Sequence, residues 1–174
     1  MKKIRKMSLL LLSIIFLFSC DSSDNNDNNN NSEFKVEIDG TLYEASNLEA
    51  RMGNDNKYFE LSSINNNSDS VQFRFGDLDN PSAQQISSNL TFDSNSGDSI
   101  IIFYQEGATD FIAGGSVFNG LVNITDVNYD DNIISGTFSG MLFNPNYSPD
   151  VINDEEEFIV LTNGVFTNIN FSTN

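Results

Sequence analysis

The sequence contains no histidine and no tryptophan, and its only cysteine is Cys20. Without histidine there is no imidazole base, no serine–histidine triad and no histidine-ligated zinc or haem. A single cysteine cannot form an intramolecular disulfide, a CxxC redox pair or a thiolate metal cluster. These absences exclude active sites and metal sites built on histidine or on several cysteines. With the alternatives weighed below, we predict a protein that is not an enzyme and that holds no cofactor.

Positive charge is also scarce. The 174 residues include eight Lys and Arg residues and 25 Asp and Glu residues, which gives a net charge of −17. Nucleic-acid phosphates attract Lys and Arg, so this balance argues against a nucleic-acid partner. The length suits one compact domain once a targeting segment is set aside.

Residues 1–19 have the pattern of a secretory signal peptide. Four cations precede an apolar run from Leu9 to Phe18. That run is too short to cross a hydrocarbon core of about 30 Å comfortably, so a permanent transmembrane helix is the weaker interpretation. We therefore expect these residues to be removed during export.

The segment Leu17-Phe18-Ser19-Cys20 resembles a bacterial lipobox, with leucine three residues before the cysteine and a small serine directly before it. In such signals the thiol receives a diacylglycerol, the chain is cut before the cysteine, and the new amine is often acylated, as with palmitate. Two or three acyl chains anchor a protein stably, whereas one does not. We predict that Cys20 is the lipidation site and that the lipid is the contact with the membrane. The alternative is an ordinary free thiol.

Residues 20–32 read as the lipidated cysteine and a flexible tether. After the cysteine the segment contains only Asp, Asn and Ser, so it cannot bury enough apolar surface to offset its ordering entropy. Once the signal is removed, four cations against 25 acidic residues leave a net charge of −21, which an anionic bilayer surface repels. Acidic residues after the cysteine resemble surface-export signals of Bacteroidota lipoproteins. The alternatives are a plain spacer on a periplasm-facing lipoprotein and an inner-membrane retention signal, and all three stay open.

Residues 33–174 show the two-residue period of β-strands. Phe34, Val36 and Ile38 alternate with polar residues, and Asp39-Gly40 favours a type I′ hairpin turn. The further predicted strands are Tyr58–Ile64, Val71–Phe75, Asn89–Phe92, Ile100–Tyr104, Val117–Val127, Ile133–Phe143 and Phe158–Phe171. The last is predicted to be broken by a second hairpin turn at Asn163-Gly164. The pattern indicates a single antiparallel β-sandwich or barrel-like domain.

The run Ile100–Phe103 is apolar on both faces, which is typical of a central strand. Phenylalanines in strand patterns are expected to compensate for the few leucines in the core. These are Phe59, Phe73, Phe75, Phe92, Phe103, Phe138 and Phe166.

Calcium binding, glycosidase chemistry and carbohydrate binding each have a simpler structural alternative in this sequence. Calcium is suggested by Asp93–Asp98, which begins like an EF-hand loop, but Tyr104 stands at the twelfth position, where a bidentate glutamate is needed. We favour turn chemistry there, and equally for the Asp/Asn clusters Asp77–Asn80 and Asp130–Asn132. The metal-site prediction is therefore none.

Glycosidase chemistry needs two carboxylates across a cleft. Four glutamates near strands were considered, and each is more simply a solvent-facing strand residue: Glu37, Glu44, Glu60 and Glu106. Carbohydrate binding uses aromatic platforms, and the available rings besides phenylalanine are Tyr43, Tyr58, Tyr104, Tyr129 and Tyr147. The simpler reading places most of these tyrosines half-buried at sheet margins.

Two ends of the domain resemble small Bacteroidota lipoproteins with an uncharacterised all-β domain. The likeness lies in the opening Phe34–Ala45, in Gly120–Thr125, in the Gly-Thr-Phe-Ser strand Ile134–Ser139 and in the Thr-Asn-Gly-x-Phe segment Thr162–Ile169. This resemblance implies an all-β fold and a cell-envelope location. It carries no catalytic or binding residues.

The sequence thus favours a lipid-anchored protein of the cell envelope, with the outer membrane as its expected location, that acts as a non-catalytic binding or interaction module. A glycan or another envelope protein is the expected kind of partner. The alternative is a structural or surface-coat lipoprotein without a specific small ligand, and a carbohydrate-binding accessory protein is a further alternative. A concave patch with tyrosines or clustered carboxylates would favour binding over a coat.

Overall fold

The structure, a computed structural model, describes residues 31–77, 83–114, 119–147 and 157–173. The predicted signal peptide, Cys20 and the tether up to residue 30 lie outside this range. Within it, no helix has the length and apolar character that a membrane crossing needs.

The described residues form β-strands and one short 3-10 turn at Ser94–Ser96. The strands are β1 (Glu33–Ile38), β2 (Thr41–Glu44), β3 (Asn47–Gly53), β4 (Tyr58–Ile64), β5 (Ser70–Gly76), β6 (Thr91–Asp93), β7 (Ile100–Glu106), β8 (Thr109–Gly114), β9 (Gly120–Asn128), β10 (Ile133–Phe143), β11 (Phe158–Asn170) and β12 (Ser172–Thr173). The predicted all-β fold is confirmed.

The strands belong to one open sheet in the order β12-β3-β4-β5-β7-β8-β10-β11-β1-β2, with β6 and β9 on a branch from β10. Every pairing is antiparallel except that of β12 with β3. The sheet has two halves, β12 to β8 and β6-β9-β10-β11-β1-β2, whose only pairing is Phe143 with Ile112 in the described strands. This narrow connection lets one half fold over the other.

Phenylalanine rings fill the space between the halves. The centroid of the Phe73 ring in β5 lies 6.1 Å from that of Phe34 in β1 and 5.1 Å from that of Phe138 in β10. The ring of Phe59 in β4 is stacked with that of Phe166 in β11 at 6.5 Å. All five rings are 3% exposed or less. Burying apolar rings from both halves holds the sheet in its folded form.

Two expectations about the core need correction. Phe103 is not a core residue, because β7 alternates and its neighbours Ile102 and Tyr104 take the inner face. The Phe103 ring lies on the outer face, partly buried, with the Arg74 guanidinium 5.8 Å from its centroid. Phe92 is also only partly buried. The prediction of a central strand here is confirmed, since β7 pairs with β5 and β8 on its two edges.

The predicted hairpin at Asn163-Gly164 is wrong, because β11 continues through it. Asn163 has a φ of +53°, and the register against both β10 and β1 shifts by one residue at this point. These are the marks of a β-bulge, which accommodates one extra residue without reversing the chain. A Cβ at Gly164 would lie 2.5 Å from the Phe138 carbonyl oxygen, so glycine permits the close approach.

Candidate functional site

A pocket of about 480 Å³ opens between the two halves at one end of the sheet. We call it the end pocket. Its lining residues are Ile38, Asp39, Thr41, Leu42, Tyr43, Asn65, Asn67, Asp69, Tyr104, Glu106, Thr109, Phe111 and Ile159. They come from β11 and from three hairpins, β1–β2, β4–β5 and β7–β8, so both halves of the sheet contribute to one concavity.

The β1–β2 turn brings Asp39 to the rim of the end pocket. Asp39 and Gly40 have φ values of +47° and +80°, as a type I′ turn requires, which confirms the predicted hairpin. The Asp39 backbone N–H donates to the Val160 carbonyl at 3.0 Å, and the Val160 N–H donates to Asp39 Oδ1 at 2.8 Å. These two bonds hold the turn against β11.

The β4–β5 turn is organised by the side chain of Asn65. Asn65 Oδ1 accepts hydrogen bonds from the backbone N–H groups of Asn67 and Asp69, each at 2.9 Å. Asn65 Nδ2 donates to Asp69 Oδ2 at 3.0 Å. Such Asx turns pre-shape a loop before any ligand arrives. The Asp69 carboxylate is therefore held at the pocket by the turn itself.

Tyr43 lines the end pocket, and a buried hydrogen-bond network holds its hydroxyl in place. The Ser63 hydroxyl donates to the Val71 carbonyl at 2.8 Å, so its oxygen accepts from the Tyr43 hydroxyl at 3.1 Å. The Tyr43 hydroxyl also lies 3.3 Å from the Asp69 carbonyl oxygen. Ser63 is fully buried, and this network satisfies its hydroxyl. Burial raises the pKa of the Tyr43 hydroxyl above its ordinary value.

Tyr104 differs from Tyr43 in its hydrogen bonding. Its ring packs edge-on against Tyr43 at 6.4 Å and is stacked with Phe111 at 6.1 Å. The residue is 6% exposed, and its hydroxyl makes no hydrogen bond to any residue that the structure describes. Burial, followed by the nearby carboxylates Glu106 and Asp69, raises the pKa of this hydroxyl strongly, so it stays neutral in the folded protein.

Three carboxylates border the end pocket, namely Asp39, Asp69 and Glu106, each on a different hairpin. No lysine or arginine is among the lining residues given above. Across the described part of the chain, no group of three or more Asp, Glu or Cys side chains is placed so that it could hold a metal ion. The carboxylates are thus distributed around a concavity rather than gathered at one point.

Of the five tyrosines weighed as sugar platforms, the structure brings Tyr43 and Tyr104 together and leaves the others apart. The Tyr58 hydroxyl donates to Glu60 at 3.3 Å, and the Tyr129 hydroxyl donates to the Ile86 carbonyl. Tyr147 is partly buried and does not line the end pocket. Both pocket tyrosines are buried, so neither presents an exposed ring face on which a sugar could stack.

The four glutamates considered for paired-carboxylate chemistry do not meet in one cleft. Glu37 accepts from Asn163 Nδ2 at 3.0 Å, and Glu60 forms an ion pair with Arg51 at 2.6 Å. Glu44 is exposed on β2, and of the four only Glu106 lines the end pocket.

The calcium candidate Asp93–Asp98 forms a capped turn. Asp93 Oδ1 accepts from the Asn95 N–H at 2.9 Å, and Asp98 Oδ2 accepts from the Asp93 N–H at 2.8 Å. In the second cluster, Asn128 Oδ1 accepts hydrogen bonds from the backbone N–H groups of Asp130 and Asp131. Both clusters therefore show the turn chemistry expected of them. Residues 78–80 of the remaining cluster lie outside the described part.

Most of the end pocket was missed in the sequence. Asp39 was predicted only as a turn residue, and neither Asn65 nor Asp69 was predicted to border a pocket. The available signal was the hairpin turns themselves. Their convergence depends on which strands pair across the sheet, and a linear pattern does not contain that information.

Fold and site together define an all-β domain with a carboxylate-lined end pocket. Comparison with known families assigns the chain more narrowly: it belongs to the family described as "Domain of unknown function (DUF6252)", whose model matches residues 30–170. No curated protein and no solved structure matches the chain.

Proposed function

We propose that this protein is a lipid-anchored, non-catalytic binding module of the bacterial cell envelope, and that the end pocket is its ligand site. The observation that carries the binding role is the end pocket itself, a concavity of about 480 Å³ bordered by carboxylates from three hairpins. Concave sites with a few convergent polar groups are where small ligands bind. A surface-coat role, the alternative, does not require such a concavity.

The anchoring part of the proposal is supported by the lipobox-like segment that ends at Cys20 and by the polar residues that follow it. Because the processed chain would carry a net charge of −21, its surface would not adhere to anionic lipids, and acyl chains would supply the attachment. The resemblance to small Bacteroidota lipoproteins favours the outer membrane. The tether would hold the end pocket a short distance from the bilayer.

The anchor is tested with Cys20→Ala. The parent is expected to sediment with membranes and to carry acyl mass on its first residue, whereas the variant should accumulate as precursor or soluble protein. Ser22→Ala, which leaves the lipobox-like segment intact, is the matched control and should behave like the parent. Sedimentation of Cys20→Ala with membranes in the parent's amount would refute the lipid anchor. Protease treatment of intact cells then separates surface from periplasmic display.

The binding role is tested by a thermal-shift screen of the full-length protein in detergent against small saccharides, amines, amino acids and anions. A ligand that binds only the folded state raises Tm in proportion to the logarithm of its concentration. A binding module should show at least one such compound, and Leu42→Arg, which places a bulky cation at the 57% exposed rim residue, should abolish the shift. No shift with any compound would favour the surface-coat alternative.

A further inference from the structure

We infer that the end pocket binds a small molecule that carries a primary ammonium group. The inference rests on the proposed function, because it names the ligand class of that same pocket. It follows from the charges around the pocket, from their spacing and from a tyrosine hydroxyl at the pocket that has no hydrogen-bond partner among the described residues.

The first observation is the sign of the charges. Asp39, Asp69 and Glu106 border the pocket, and no lysine or arginine is among its lining residues. An anionic ligand would meet three like charges in a partly enclosed space, which is strongly unfavourable. A cationic group would instead form charge-assisted hydrogen bonds with the carboxylate oxygens.

The second observation separates an organic cation from a metal ion. A metal requires several ligand oxygens within about 2.6 Å of a single point. The described acidic residues provide no such group of three, so the pocket carboxylates are not placed to share one metal ion. An ammonium group on a compact body can reach one or two carboxylates directly while its other atoms occupy the remaining volume.

The third observation is the Tyr104 hydroxyl. Tyr104 is 94% buried and lines the pocket, yet its hydroxyl has no hydrogen-bond partner among the described residues, whereas Tyr43 beside it is fully paired. The hydroxyl oxygen keeps access to the pocket, so a ligand there can bond to it directly. The hydroxyl oxygen can accept from an ammonium N–H, and the hydroxyl proton can be donated to an oxygen on the ligand body.

The pocket is also shaped before the ligand arrives. Asn65 fixes the β4–β5 turn, and Val160 fixes Asp39, so two of the three carboxylates are already positioned. Glu106 lies at the end of β7 next to the Gly107 turn and forms no ion pair in the described residues. A positioned site binds with a smaller ordering cost than a flexible one.

The test compares matched probes by isothermal titration on the full-length protein in detergent. Glucosamine and N-acetylglucosamine differ mainly in whether the nitrogen is charged, cadaverine carries ammonium groups without a sugar ring, and glucuronate carries the opposite charge. We expect at least one amine to bind at least tenfold more tightly than N-acetylglucosamine and glucuronate. Raising the salt concentration should weaken this binding.

Variants locate the binding. Glu106→Gln keeps the shape of the side chain and removes its charge, and Tyr104→Phe removes only the unpartnered hydroxyl. Each should weaken amine binding about tenfold, the usual size of one charge-assisted or buried hydrogen bond. Glu49→Gln makes the same charge change at an exposed strand position that is not part of the pocket lining, and its affinity should stay within about twofold of the parent.

Three outcomes overturn the inference. Equal binding of glucosamine and N-acetylglucosamine, with loss in both pocket variants, would mean that the pocket binds neutral polyols; the proposed function would then stand. Amine binding that Glu49→Gln weakens as much as Glu106→Gln would show general charge attraction. Binding by neither amine would refute the inference that the ligand carries an ammonium group. The proposed ligand site itself would be refuted only if, in addition, no compound of the thermal-shift screen raised Tm.

Discussion

In the middle of the molecule aromatic rings from the two halves of the sheet meet directly, whereas at one end they border a pocket. Phe73 touches Phe34 and Phe138 across the core, and no polar group intervenes. Tyr43 and Tyr104 continue the same cluster of rings but carry hydroxyls. The Tyr43 hydroxyl bonds to Ser63, and the Tyr104 hydroxyl lies near the carboxylates of Glu106 and Asp69. The difference shows that one aromatic core can both hold the fold and form one wall of a candidate binding site.

If the middle supplies most of the stability, Phe73→Ala should have the largest effect. Removing a fully buried ring leaves a cavity, and the expected loss in the free energy of unfolding is about 3–5 kcal/mol. Phe158→Ala is the control, because Phe158 is 50% exposed, and it should cost about 1 kcal/mol or less. Urea denaturation measures both, and equal losses would contradict the distinction between core and periphery.

The next largest effect is expected at the bulge in β11. Gly164→Ala would place a Cβ 2.5 Å from the Phe138 carbonyl oxygen and 2.7 Å from its ring, so backbone or ring must move. We expect a loss of about 1–3 kcal/mol in the free energy of unfolding. Gly53→Ala, whose Cβ would lie 3.8 Å from the nearest atom, should be neutral or slightly stabilising. Comparable losses in both variants would show that the bulge is not tightly packed.

At alkaline pH, a tyrosine of the end pocket should lower the stability of the folded protein. Tyr104 has a pKa raised above the ordinary value of 10.0, so the stability it contributes is complete below about pH 10 and is lost as pH rises further. The folded state keeps a proton that the unfolded state releases, which costs about 1.4 kcal/mol per pH unit for each such group. Burial also raises the pKa values of Tyr43 and Tyr129, so these residues add to the loss of stability at high pH.

Tyr104→Phe isolates the contribution of one hydroxyl. Its free energy of unfolding should fall less steeply than that of the parent between pH 10 and 11, and it should match the parent within about 0.5 kcal/mol at pH 7. Denaturant titrations across this pH range measure the difference. Identical slopes would mean that the hydroxyl ionises as easily in the folded chain as in the unfolded one.

The smallest effect on stability is expected for Glu106→Gln. Glu106 is exposed at the rim and forms no ion pair in the described residues, so the free energy of unfolding should change by about 0.5 kcal/mol or less. The same variant is expected to lose ligand affinity. A large loss of stability would place Glu106 in the framework of the fold rather than in its ligand site.

Two strands that the sequence analysis did not predict, β3 and β8, form for a common physical reason. In β3 the inward side chains are Leu48, Ala50 and Met52, separated by charged and polar residues, so its apolar signal is weak. β8 is short, and its apolar pattern is weaker than that of the neighbouring β7. Both strands form because each pairs with a neighbouring strand of stronger apolar pattern, β3 with β4 and β8 with β7. This pairing is a tertiary effect that local sequence does not contain.

The Asp-Gly and Asn-Gly dipeptides show where local turn preference stops deciding the structure. Asp39-Gly40 reverses the chain as predicted, whereas Asn163-Gly164 becomes a bulge in a continuous strand. Both pairs favour a left-handed backbone. The outcome differs because the residues after Gly164 pair with β10 on one side and β1 on the other, and that pairing outweighs the local preference for a turn.

The sequence by itself determined the alternating strands, the β1–β2 turn, most of the aromatic core and the strongly acidic character, because each depends on neighbouring residues or on composition. Only the tertiary structure decided that Phe103 faces outward, that the Tyr104 hydroxyl has no hydrogen-bond partner within the described ranges and that carboxylates from three hairpins surround one pocket. These features arise from strand order and register, which bring residues far apart in the chain to the same end of the sheet.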